Sequence, residues 1–167
     1  MGSGAMNSGL SFSELLQYAN QETEKWREFF ESNPAALDVP VSIAGTKRVR
    51  DMLLHIFAVE LRYAERLHDV AEVTPYERHT GKPSEELFAM GEQARRMLAE
   101  YLANASDLDR VLTFPTLTSG TLSASKRKIA IHMLLHGVRH WAQLATALRE
   151  AGFAQGQHDF IFSNVMP

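Results

Sequence analysis

IAIHMLLHGVRHWAQLATALREAG, residues Ile129 to Gly152, is the stretch on which the fold turns. Ala130, Ile131, Leu134, Leu135, Val138, Trp141, Leu144, Ala145 and Leu148 recur at helical period and leave little of the helix to face water. That breadth predicts a central helix, running from about Ala124 to Ala151 and stopped by Gly152 at C′. Gly137, Ala142, Ala145 and Ala147 are small enough to admit another backbone, in the bundle or across a subunit contact. The polar residues interrupting this pattern are His132, His136 and His140, with Gln143 within about 40° of them on the helical wheel. Imidazoles at i, i+4 and i+8 share one stripe. Two of them with one more from a neighbouring helix would form a three-ligand site with an open position, as suits zinc or a similar ion.

Working outward, RVRDMLLHIFAVELRYAERL, Arg48 to Leu67, is a second amphipathic helix, expected from about Thr46 to Val70. It carries His55 at the edge of its apolar stripe. Glu60 falls in the middle of the stripe, where a buried carboxylate needs a partner. Three roles suit it: orienting an imidazole, pairing with Arg139 or another arginine, or serving as a general base. Upstream, Ser11-Phe12-Ser13-Glu14 has the form of a capping box and opens a first helix that ends near Ser32. Pro34 and Pro40 make the stretch to Gly45 extended or irregular. After a polar loop from Thr74 to Pro83, a third helix starts at Ser84 with Glu85 and Glu86 in its first turn. RVLTFPTLTSGTLS, between Asn104 and Ser123, predicts a short β-hairpin or ordered crossover. The fold class is all-α, a four-helix bundle with long crossover connections.

At 167 residues the chain makes a single domain, residues 7–167, behind an MGSGAM opening that reads as an expression scar over residues 1–6. No cysteine is present, which removes disulfides, thiolate zinc sites and a cysteine nucleophile. A net charge of −3 and a pI near 6.2 argue against a nucleic-acid partner. No apolar run reaches the ~18 residues of a membrane span and no secretion signal is evident, so the expectation is a cytoplasmic protein with no membrane partner. Lys47-Arg48-Arg50 and Lys126-Arg127-Lys128, near two helix starts, read as solvated, charge-balancing surface in preference to a site for an acidic cosubstrate. His68, His79 and His158 read as surface or loop residues. Phe160, Ile161 and Phe162 in the tail need cover from the bundle or a partner chain.

Two motifs resemble the DinB-like family of metal-dependent four-helix proteins. TKRVRDMLLHIFAVELRYAERL is similar to that family's histidine followed by Ile or Leu and an acidic residue five places on, here His55, Ile56 and Glu60. HMLLHGVRHWAQLATALREAG resembles its closing H-x-x-x-H-x-x-x-H segment with a following glutamine, Leu-Arg and glycine, here Gln143, Leu148, Arg149 and Gly152. The resemblance implies a metal triad of His55, His136 and His140, with His132 beside it. It also implies a homodimer and, by likeness to some members, a thiol-dependent S-transferase or isomerase whose small cosubstrate brings the thiol. The expected function is a metalloenzyme acting on a small-molecule substrate, using zinc or nickel to activate a low-molecular-weight thiol or water, with Glu60 or Gln143 assisting. The alternatives are a non-catalytic dimeric metal-binding or stress-response bundle, and a scaffold for an apolar molecule with purely structural histidines.

Overall fold

Four α-helices carry the chain: α1 (Phe12–Ser32), α2 (Val49–Leu67), α3 (Ser84–Asn104) and α4 (Lys126–Glu150). The computed structural model describes residues 9–71 and 73–166, so the scar assigned to residues 1–6 lies outside the described residues. The α1 start is a full capping box: Ser11 Oγ accepts from Glu14 N at 3.2 Å while Ser11 N donates to Glu14 Oε2 at 2.7 Å.

Both crossovers contain antiparallel hairpins. The predicted one, β3 (Val111–Pro115) with β4 (Thr121–Ser125), pairs Val111 with Ser125 through Pro115 with Thr121. It takes Ala124 and Ser125 from the expected last helix, which instead starts at Lys126 with Ser125 Oγ accepting from Lys128 N. The first crossover is more ordered than its prolines suggest. A 3₁₀ turn (Pro34–Asp38) precedes β1 (Pro40–Ile43) and β2 (Thr46–Arg48), so α2 starts at Val49 and not Thr46. Ala44 and Gly45 turn the chain at φ of +50° and +80°, and Thr46 Oγ1 donates to Ile43 O at 2.7 Å.

The central helix is α2, not α4. Met52, Leu53, Leu54, Ile56, Phe57 and Ala58 are all buried, whereas Ile131 and Leu135 of α4 remain 38% and 51% exposed. A helix flanked by α3, α4 and the first crossover keeps only a half-buried strip, Asp51, His55, Arg62, Tyr63 and Arg66, toward water. The periodicity of α4 signals apolar character without telling whether a neighbour covers it.

Lys126 also departs from the solvated reading. Its Nζ, almost wholly buried, donates to Leu67 O at 2.7 Å and lies 3.0 Å from both Asp69 Oδ2 and Asp107 Oδ2. The ammonium caps the last carbonyl of α2, while Asp69 at φ +60° and Val70 N bonding back to Glu65 O at 3.1 Å close the helix at Leu67, short of the expected Val70. Arg127 pairs with Asp109, and Arg48 and Arg50 both approach Asp38, so these cations serve local ion pairs.

Where α3 crosses α2, Gly91 allows Phe57 in. A Cβ there would stand 2.4 Å from Phe57 Cδ1 and 3.1 Å from Arg95 Nη1. Alanine is the better helix former by about 1 kcal/mol, yet overpacking against a fully buried ring costs typically 1–3 kcal/mol. The steric cost wins. Gly91→Ala is expected to lower unfolding free energy by up to about 2 kcal/mol net in urea, and a stability above wild type would contradict this packing.

Candidate metal centre

His55 reaches across from α2 to the imidazole stripe of α4. Its ring centroid lies 5.0 Å from that of His136 and 5.0 Å from that of His140, and the latter two are 4.4 Å apart. One nitrogen from each ring falls within 4.8 Å of the others, and no carboxylate or fourth histidine joins the group among the described residues. His136 and His140 turn Nε2 toward each other at 3.1 Å. Two nitrogens each 2.0–2.1 Å from one tetrahedral zinc stand about 3.3 Å apart, so the spacing suits a shared ion.

Gln143 fixes the far side of His140, with Oε1 2.7 Å from Nδ1. An amide oxygen only accepts, so Nδ1 carries the proton and Nε2 presents a lone pair. His136 Nδ1 is buried and has no partner among the described residues. Donation from His136 Nε2 to His140 would leave the Nδ1 lone pair unfilled, and the other tautomer sets two Nε2 lone pairs against each other unless a cation lies between them. The donor set therefore fits a divalent ion.

Electrostatics agree. Burial, together with the neighbouring His140 and Arg62, lowers His55 to about 4. Burial, then His140, His55, His132 and Arg139, lowers His136 to about 2. His140 is lowered by burial against the upward pull of Gln143. All three are neutral imidazoles near pH 7, the form that binds metal.

His132 stays outside the group, packed edge-on against Tyr63 at 5.2 Å. Nor does the structure bring Glu60 to it: five residues beyond His55 is about 140° around the helix. Its Oε2 accepts from Arg95 Nη1 at 2.8 Å, while Arg95 Nε donates to Asn20 Oδ1 at 2.7 Å. Burial raises Glu60 to about 7 against the pull of Arg95. The partner is thus an arginine of α3, and Arg139 is exposed. Glu60 also backs the histidine helix, since a Cβ on Gly137 would lie 3.0 Å from its Oε1.

Two concavities flank the triad along α4. One, beside Gln143, is walled by Pro40, Val41 and Ile43 of the first hairpin; the other, beside His132, by Tyr63, Phe114 and Leu122. Sequence reading missed His158, which is no bystander: its Nδ1 meets the buried Glu22 Oε2 at 2.8 Å and its ring stacks on Trp26. Partners 136 positions apart leave no local signal.

No helix among the described residues is long and apolar enough to cross a membrane. No curated protein matches the chain. Among solved structures, it is similar to a DinB-like protein from Bacillus subtilis at 15% identity and a TM-score of 0.55, over 89% of this chain and 96% of that one, a likeness of fold. The DinB family model matches residues 6–166, nearly the whole sequence, and the chain belongs to the DinB family.

Proposed function

We propose that this protein is a metalloenzyme in which His55, His136 and His140 hold a divalent ion, zinc or nickel, for chemistry on a small-molecule substrate. The observation that carries the reading is three neutral imidazoles converging with no further protein ligand among the described residues. Structural sites close their coordination shell, whereas catalytic ones keep a position open. A divalent ion held there supplies Lewis-acid activation of a water or a low-molecular-weight thiol, lowering its pKa toward neutrality. With no cysteine in the chain, any thiol would come from a cosubstrate.

Each residue then has a task. His55 joins α2 to α4 at the ion; Gln143 holds His140 in its Nδ1–H tautomer; Glu60, through Arg95 and Gly137, positions the α4 segment between the two ligands. Val41 and Ile43 offer an apolar wall for a substrate body beside Gln143. The reading includes a cytoplasmic homodimer, to which Ile131 and Leu135 would contribute exposed apolar surface.

The function is tested with cobalt-loaded protein and a small thiol such as cysteine. A new sulfur-to-cobalt charge-transfer band is expected, together with faster alkylation of the thiol below its free pKa. No spectral change and no rate change would remove the thiol from the reading, and absence of an exchangeable water as well would reduce the site to a closed, non-catalytic one.

Gln143→Leu keeps the bulk but frees His140 Nδ1, and is expected to weaken metal binding by about 10–100-fold in a chelator competition; an unchanged affinity would remove Gln143 from the site.

The pH dependence has a defined sign. A histidine lowered in the fold stays neutral below its unfolded value near 6.5, so protons compete poorly with the metal. Affinity is expected to hold as pH falls through 6.5, where free histidines would already take up protons, and to be lost as pH nears the His55 value of about 4. The metal-free protein should lose stability as pH falls below ~6.5, because the unfolded chain then binds more protons. An affinity already falling tenfold per unit at pH 6.5 would contradict the burial of these rings.

A further inference from the structure

On the far side of α4 from the histidines, a cavity of about 370 Å³ opens between α1, the last turns of α4 and the segment after it. Val138, Ala142, Ala145 and Arg149 line it from α4, roughly 180–240° around the helix from His136. It is a separate site, of a size that takes small organic ligands.

Its floor is aromatic. Trp26 lies parallel to Trp141 with centroids 5.2 Å apart and to His158 at 4.5 Å, and Phe160 meets Tyr18 edge-on at 4.9 Å. The segment over it is tied down: Tyr18 Oη donates to His158 O at 3.0 Å, Lys25 Nζ to Gln157 O at 3.1 Å, and Asn164 N to Gln21 Oε1 at 3.0 Å.

Two buried polar atoms of lining residues lack partners among the described residues. Trp26, wholly buried, leaves its Nε1–H unmatched, and Gln155 Oε1 is an unmatched acceptor, its Nε2 being used on Phe153 O. Orphans of this kind are destabilising unless something fills them. Two charges are also free. Neither Arg149 nor Asp159 has an ion pair among the described residues, while the buried Glu22 is already held by Lys25 and His158, each at 2.8 Å. The Asp159 and Glu22 charges reach inside, adding to burial in raising Tyr18 to about 12.

We propose that this cavity binds a small zwitterionic amino acid with an apolar or aromatic side chain. Arg149 and the Trp26 Nε1–H suit a carboxylate, Gln155 Oε1 and Asp159 an ammonium, and the Trp141 and Phe160 rings the side chain. A betaine fits less well because a quaternary nitrogen has no N–H for Gln155. The free cation argues against a simple amine, and the free acceptor and Asp159 argue against a simple carboxylic acid.

Both tryptophans of the sequence line the cavity, so their emission reports on occupancy. L-Phenylalanine, which does not absorb at the tryptophan excitation edge, is titrated into metal-loaded wild type, Arg149→Gln and the His136→Ala/His140→Ala variant. A saturable change with a dissociation constant below about 1 mM is expected. It should weaken at least about fivefold in Arg149→Gln, persist in the histidine variant, and fail with phenethylamine and with 3-phenylpropionate. Arg149 is exposed, so its replacement should fold. No saturable change, equal binding of either analogue, indifference to Arg149→Gln, or loss in the histidine variant would each overturn the assignment.

Discussion

Replacing His136 and His140 together by alanine is expected to abolish stoichiometric binding of a divalent ion while leaving the bundle folded. Structural zinc sites contribute roughly 10–16 kcal/mol, so with four ligands each is worth about 3 kcal/mol, and losing two ligands lowers affinity by about 10⁴-fold or more. The fold should tolerate the change. His136 is half-buried with one nitrogen unpaired, and among the described residues His140 hydrogen-bonds only His136 and Gln143, so little of the core is lost. Calorimetric titration with zinc, beside a circular dichroism spectrum, checks both halves; tight one-to-one binding in the variant would contradict the triad.

The second large effect lies behind the site. Arg95→Met leaves Glu60 without its guanidinium in a place where both side chains are only 4% exposed. Breaking a buried pair from one side costs about 3–5 kcal/mol, far above the ~1 kcal/mol of an exposed pair. The loss should depend on pH. Without Arg95 the Glu60 carboxyl is raised further in the fold. A raised carboxyl favours the folded state below its unfolded value and loses that advantage as pH rises through the folded one. The deficit against wild type is therefore expected to be larger at pH 8 than at pH 5.5 by urea unfolding. The histidine contributions, common to both proteins, cancel in the difference. A loss under about 1 kcal/mol at pH 8 would mean that the pair is not buried.

Much of this was legible in the chain because the signals are local. The i, i+4, i+8 histidines, the Ser11 capping box and the Thr-rich run ahead of α4 depend on neighbours a few residues away, and each appears where its spacing places it. Glu60 could be recognised as buried from its place in the α2 stripe, but its partner could not. Arg95 is 35 residues on, and the crossing that brings it there depends on Gly91 admitting Phe57. Lys126 looked like one of three surface cations, and only the meeting of α4 with the end of α2 buries it. The short hairpin of β1 and β2 was hidden because Thr46-Lys47-Arg48 carries no apolar alternation and owes its pairing to the turn at Ala44 and Gly45. His158 and the cavity beside α1 arise from a tail folding back across the chain, which periodicity cannot foretell.

At the heart of the site stands an ion on three imidazoles with one position free. X-ray absorption at the zinc edge of the loaded wild-type protein tests it most directly. The predicted spectrum shows imidazole scattering from three ligands at about 2.0–2.1 Å, plus one lighter ligand exchangeable for sulfur when a small thiol is added. A shell of four protein ligands indifferent to thiol, or zinc that washes away, would contradict the account.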